Sequence, residues 1–129
     1  MGRTGSKTRS LAKGLGFLGE SWAKAYLEGK GYRILEVGYR CALGEIDLVA
    51  EEGGEFVFIE VKTRKDTSFG YPEEQIPFSK RKRLGRLAQV YLKHHARKEK
   101  PARFDVVSIL MTKEGRMVGA DLIQNAFSL

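Results

Sequence analysis

One segment constrains this chain more than any other: Phe56-Val57-Phe58-Ile59-Glu60-Val61-Lys62. Its aromatic and β-branched residues predict a strand over Glu55 to Thr63. Two charges sit inside that apolar run. Burying an unpaired charge costs several kcal/mol, so the fold must bring Glu60 and Lys62 a compensating partner. The Gly53-Gly54 pair just upstream predicts a tight hairpin turn back to a strand over Glu45 to Ala50. Residues two apart share a strand face. Glu45, Asp47 and Val49 therefore share one face of the earlier strand. Glu60 and Lys62 share a face of the later one, continuing from Phe56 and Phe58. The hairpin registry sets Asp47 opposite or diagonal to Glu60, within reach of one cation.

The rest of the chain supplies the layers around this hairpin. Leu15, Leu18, Trp22 and Tyr26 at helical spacing predict a first helix from Lys13 to Gly31. A strand over Tyr32 to Tyr39 and a turn at Ala42-Leu43-Gly44 lead into the hairpin. A long connection, Arg64 to Phe78, carries Gly70, Pro72 and Pro77, and a loop of that length in a small domain is more often functional than idle. Ser79 is the expected cap of a second helix running to about Lys98, with Leu84, Leu87, Ala88, Tyr91 and Leu92 as its apolar stripe. Phe104 to Met111 reads as a fourth strand and Arg116 to Ile123 as a fifth. Short turns make the first three strands antiparallel, and the second helix can act as a crossover that sets the fourth parallel to one of them. The expected class is α/β, a mixed sheet of four to five strands flanked by helices. With 129 residues this is one domain, residues 13–129, behind a flexible basic arm at 1–12.

Charge is distributed unevenly. Lys and Arg total 23 against 16 Asp and Glu, a net +7, and small basic domains often meet polyanions. Residues 1–19 carry Arg3, Lys7, Arg9 and Lys13 and no acid, and Ser79 to Lys100 holds nine Lys or Arg against Glu99 alone. Between them, Cys41 to Val61 holds Glu45, Asp47, Glu51, Glu52, Glu55 and Glu60 with no Lys or Arg. An acidic pocket in a basic frame holds a nucleic acid poorly unless something positive fills it, and a divalent metal supplies that charge. Cys41 stands alone, which excludes an intrachain disulfide framework and a cysteine-rich zinc site. No apolar run approaches the ~18 residues of a membrane span, and no signal peptide opens the chain. These features point to a soluble cytoplasmic protein with no membrane partner.

Two carboxylates beside a lysine suit phosphodiester hydrolysis. The carboxylates are hard ligands for Mg²⁺ or Mn²⁺, and Lys62 could orient an attacking water or offset charge on the phosphorane. The same residues could equally form an Asp47–Lys62–Glu60 ion-pair set on a half-exposed sheet. Arg64 and Lys80, near the strand end and loop, are candidates for phosphate contact or for solvated charge. On the second helix Arg81, Lys82, Arg83 and Arg86 belong to a basic face suited to tracking phosphates without reading bases. Glu45 reads as an exposed strand start, His94-His95 as structural, and Trp22, Tyr26 and Tyr91 as core or rim packing.

The ordered segments Gly19-Glu20, Gly44-Glu45-Ile46-Asp47-Leu48-Val49, Phe58-Ile59-Glu60-Val61-Lys62-Thr63-Arg64, Phe69-Gly70, Lys80 and Arg103-Phe104-Asp105-Val106-Val107 resemble the YraN-like family of bacterial proteins. That family is a branch of the PD-(D/E)XK nuclease superfamily, and the resemblance covers roughly Gly14 to Ile123. The bare Asp…Glu-x-Lys is a weak signal, whereas the ordered set is specific. Ile46 stands where the superfamily pattern has proline. The resemblance implies a restriction endonuclease-like αβββαβ core, related to archaeal Holliday-junction resolvases. It implies Asp47 and Glu60 as metal ligands, Lys62 as the catalytic lysine, and Glu20 as a further acid and ligand reaching from the first helix. Independently, Glu20 lies at the edge of that helix's apolar face, where it leans toward the sheet or pairs with Lys24.

The leading expectation is thus a Mg²⁺- or Mn²⁺-dependent endonuclease acting on DNA, branched or damaged forms included, with RNA also open. The alternative is a nucleic-acid-binding module that keeps the fold without turnover. A third reading is an adaptor whose basic helix meets an acidic protein. One active site per chain would make double-strand cutting the work of a homodimer or of two encounters. The Ala126-Phe127-Leu129 tail is a dimer contact or packs on its own sheet.

Overall fold

The computed structural model describes residues 14–64, 76–95 and 100–127. The basic arm, most of the connection between Arg64 and Phe78, and Leu129 lie outside the described residues. Helix α1 (Gly14–Gly29) is followed by β1 (Arg33–Cys41), β2 (Gly44–Glu52) and β3 (Glu55–Arg64), then α2 (Phe78–His94), β4 (Ala102–Met111) and β5 (Met117–Phe127). The five strands form one sheet in the order β1-β2-β3-β4-β5. β3 and β4 run parallel, joined through α2, and every other neighbouring pair is antiparallel. This is a mixed α/β sheet flanked by two helices, arranged as a restriction endonuclease-like αβββαβ core. No helix among the described residues is long and apolar enough to cross a membrane.

The apolar residues sort into two layers, one under each helix. Under α2, Leu84, Leu87, Ala88 and Tyr91 meet Tyr39, Ile46, Val49, Phe56, Phe58, Val106 and Phe127. Tyr91 is the hub, with edge-to-face contacts to Tyr39, Phe56 and Phe58 at 5.1–6.1 Å between centroids. Under α1, Ala23 and Leu27 meet Leu48, Ala50, Val57, Ile59, Val107 and Ile109. β3 contributes alternate residues to both layers, which is why it reads as continuously apolar.

Several boundaries differ from the sequence expectation. The first helix stops at Gly29, and Leu18, assigned to its apolar stripe, is exposed. The cap of α2 is Pro77, with no side-chain capping bond, rather than Ser79. Proline's fixed φ leaves the chain extended up to residue 77, so the first turn opens with Arg81 N–H donating to Pro77 O (3.0 Å), and Ser79 falls inside it. The helix ends at His94, and His95 stacks on Tyr91 with its Nδ1 2.9 Å from the Tyr91 carbonyl oxygen. β5 runs on to Phe127, whose ring stacks on Phe104 at 4.8 Å, so this part of the tail packs on its own sheet.

Candidate functional site

The site forms where β2 and β3 part. Paired positions between them run from Glu52↔Glu55 to Leu48↔Ile59. The next residue, Asp47, replaces the ladder with its side chain: Val61 N–H donates to Asp47 Oδ2 at 2.8 Å. β2 also loses its alternation here. Ile46 and Val49 pack under α2 while Leu48 packs under α1, so Asp47 does not share a simple face with Glu45 and Val49. Opposite Asp47 on β1, Gly38, between the pairs Val37↔Leu48 and Tyr39↔Ile46, adopts φ 67°, a conformation that residues with a Cβ rarely take.

Helix α1 brings the third acid. A methyl group on Gly19 would overlap Thr63 Oγ1, so this glycine lets the helix seat directly on the end of β3. The contact places the next residue, Glu20, under the sheet at 8% exposure. Lys24, its alternative partner by spacing, pairs with Glu28 at 3.3 Å. From the other face, the first turn of α2 descends on Glu60, and Lys80 Nζ donates to Glu60 Oε2 at 2.6 Å.

Electrostatics single out Asp47. Its pKa is pushed up to about 8, first by burial and then by the Glu60 carboxylate, with Glu20 and Glu45 adding to the rise and the Val61 N–H opposing it. Lys62 is pushed the other way: burial lowers its ammonium pKa, Lys80 and Arg64 act in the same direction, and Glu60 and Asp47 resist. Asp47 thus lies within electrostatic reach of Glu60 and Glu20, and Lys62 within that of Glu60 and Asp47. Three carboxylates are the hard-oxygen donor set that Mg²⁺ or Mn²⁺ prefers, and their crowding is what a divalent cation would relieve. Among the described residues, however, no three acidic, histidine or cysteine side chains converge on one metal-sized point.

Other expected positions are redistributed. Of the six acids in the Cys41–Val61 stretch, Glu51, Glu52 and Glu55 turn to other partners near the hairpin tip: Glu51 to Arg33 and Lys100, Glu52 and Glu55 to Arg103. Glu45 is partly buried rather than an exposed strand start, with Arg40 3.9 Å away. Lys80, 33% exposed at its side chain, is engaged by Glu60. Arg81 is structural: its Nε–H donates to Ile76 O at 3.0 Å, and its guanidinium lies 5.6 Å from the Phe127 ring centre. Arg64 is partly buried at the end of β3. Lys82, Arg83 and Arg86 stand exposed on the outer face of α2.

Two features were not anticipated. Phe78 is 69% exposed at the start of α2, with the Lys82 ammonium 5.5 Å from its ring centre. On the far side of β3, Asp105 is fully buried and accepts from Tyr32 Oη (2.7 Å), Arg103 Nε (3.0 Å) and Asn125 N (2.9 Å). Arg103 also reaches Glu52 and Glu55, and Gln124 Nε2 donates to Tyr32 Oη. The signal for this network was the Arg103-x-Asp105 spacing in an apolar strand, the same pattern as Glu60-x-Lys62.

A family model described as uncharacterised protein family UPF0102 matches residues 19–109, which span Gly19, every carboxylate of the site and Asp105. A UPF0102 protein of Moorella thermoacetica is 48% identical over 112 residues, covering 87% of this chain and 93% of the relative. Those of Caldicellulosiruptor saccharolyticus and Dictyoglomus turgidum are 42% and 36% identical, over 88% and 89% of this chain and 96% and 98% of their own.

Proposed function

The chain belongs to the uncharacterised protein family UPF0102, and on that premise we propose that it is a metal-dependent endonuclease acting on DNA. The observation that carries this reading is a half-buried Asp47 crowded by the buried Glu60 and Glu20, with Lys62 on the adjoining strand. Asp47, Glu60 and Glu20 would hold Mg²⁺ or Mn²⁺. When bound there, the ion would polarise a non-bridging phosphate oxygen and acidify a water. Lys62, partly desolvated, would hold that water by hydrogen bonding and offset charge gathering on phosphorus. Lys82, Arg83 and Arg86 would hold neighbouring phosphates without reading sequence. The spread of basic residues along one helix suits a backbone of several phosphates better than a single small phosphate ester.

One observation favours a second reading. Glu60 is already engaged by Lys80, as it would be in a binding module that keeps the fold without turnover. The test is cleavage of end-labelled single strand, duplex, flap and four-way junction DNA in Mg²⁺, Mn²⁺ or EDTA. Cutting that needs the metal and falls at least ~100-fold in Asp47→Ala supports the nuclease. No cutting, with equal and salt-sensitive DNA binding by both proteins, replaces it with the binding module.

A further inference from the structure

We propose that Lys80 is a resident stand-in cation: it holds Glu60 while the site is metal-free, is displaced when a divalent ion arrives, and then turns to the substrate phosphate. The inference rests on the metal-dependent reading above and adds a residue and an order of events to it.

The geometry is specific. Glu60 is 7% exposed, and its Oε2 accepts from Lys80 Nζ at 2.6 Å, a charge-assisted hydrogen bond of near-ideal length. A divalent ion approaching that carboxylate meets the positive charge of the ammonium 2.6 Å from Oε2. Lys80 pairs with Glu60, and Lys62 lies within the field of Glu60 and Asp47, so positive charge already offsets part of the acidic cluster in the metal-free fold. Lys80 is also the charge best able to leave. Its side chain is 33% exposed while that of Glu60 is 8% exposed, and it hangs on a flexible four-carbon stem from the first turn of α2. No acidic residue lies in that turn to recapture it. Lys82 and Arg83 follow it and are exposed, so an ammonium released toward solvent joins a basic surface. A substrate phosphate is the anion that would take it there.

Two consequences follow from linkage. Metal alone must compete with Lys80, so its affinity is weakened in the free protein. Substrate that captures the released ammonium tightens metal binding, and metal tightens substrate binding by the same factor.

The experiment uses the full chain and Mn²⁺ alone, titrated by calorimetry into wild type, Lys80→Met and Asp47→Asn. Lys80→Met should bind Mn²⁺ about tenfold tighter than wild type, equivalent to ~1.4 kcal/mol, and Asp47→Asn should not bind it. In wild type, an amine-acylating reagent followed by mass spectrometry should label Lys80 several-fold faster when Mg²⁺ is added, a readout that needs no variant to fold. With Ca²⁺ in place of Mg²⁺ and a short duplex as probe, wild type should gain DNA affinity on addition of the ion, and Lys80→Met should gain less. If Lys80→Met binds Mn²⁺ no tighter and Lys80 labelling ignores Mg²⁺, while Asp47→Asn still abolishes binding, the stand-in role is overturned and the metal site stands. If neither wild type nor Lys80→Met binds Mn²⁺, both fail together.

Discussion

β3 and β4 lie side by side and parallel, and each interrupts an apolar run with two opposite charges two residues apart. On β4 the pair closes on itself. Arg103 Nε–H donates to Asp105 at 3.0 Å, and Tyr32 and the Asn125 N–H complete the shell of a carboxylate with no exposure at all. On β3 the pair stays open: Glu60 turns to Lys80 of another element, while the neighbouring Asp47 has, among the described residues, one backbone donor against burial and three nearby carboxylates. Both regions bury acids, yet one gathers donors around its carboxylate and the other gathers more carboxylates. Buried polar groups that are fully satisfied rigidify a fold, whereas local conflicts that survive in an otherwise consistent sequence mark functional sites.

The comparison breaks most easily at Asp105. Asp105→Ala leaves the Arg103 guanidinium, 13% exposed at its side chain, to Glu52 and Glu55, and removes the acceptor of both the Tyr32 hydroxyl and the Asn125 N–H. Removing one partner of a buried pair costs about 3–5 kcal/mol, and urea unfolding should show a loss of that size. A loss below ~1 kcal/mol would mean the network is ornamental. Tyr32→Phe is the milder cut, expected to lose about 1–2 kcal/mol at neutral pH, and it carries a pH signature. Burial first, and then Asp105, push the Tyr32 phenol up from 10.0 to about 12. A phenol held neutral in this way contributes stability that is whole below pH 10 and disappears as pH climbs to 12. The alkaline decline of wild type between pH 10 and 12 should therefore be shallower in Tyr32→Phe. Equal slopes would sever the phenol from the network.

Much of this was legible in the residues. The apolar run with Glu60 and Lys62 inside it predicted β3 and its need for partners, and the Gly53-Gly54 turn predicted the hairpin that brings Asp47 close. The identity of the partners was not legible. Lys80 reaches Glu60 because Pro77 sets where α2 begins, and that cap is two residues ahead of the serine that looked like one. Strand alternation failed at Asp47, where the facing position on β1 is Gly38 with a positive φ, a juxtaposition across the ladder that spacing along the chain does not show. Gly19 read as part of a motif, but its reason, the seat it makes on Thr63, needs the two elements in contact. The Arg103-x-Asp105 pair carried the same signal as Glu60-x-Lys62. Spacing cannot tell a closed pair from an open one, because the distinction lies in Tyr32, Asn125 and Lys80, which are far from the pairs in sequence.

The last comparison is the sharpest, because its sign should reverse. In EDTA, Asp47 of the unfolded chain titrates near 3.9, while in the folded protein burial and the facing acids hold it at about 8. A carboxyl whose folded pKa is raised contributes stability that is complete below pH ~4 and is lost as pH rises through ~8. Asparagine keeps an oxygen for the Val61 N–H and never ionises. Asp47→Asn should therefore match wild type at pH 4 and become progressively more stable than it as pH rises to 8, as read from urea midpoints across that range. The same substitution would remove the Mn²⁺-binding heat. A gain in stability together with a loss of metal is the exchange expected of a functional acid, and the opposite of Asp105. If Asp47→Asn instead destabilises the protein at every pH, Asp47 is a structural carboxylate, and the open side of β3 is no different in kind from the closed one.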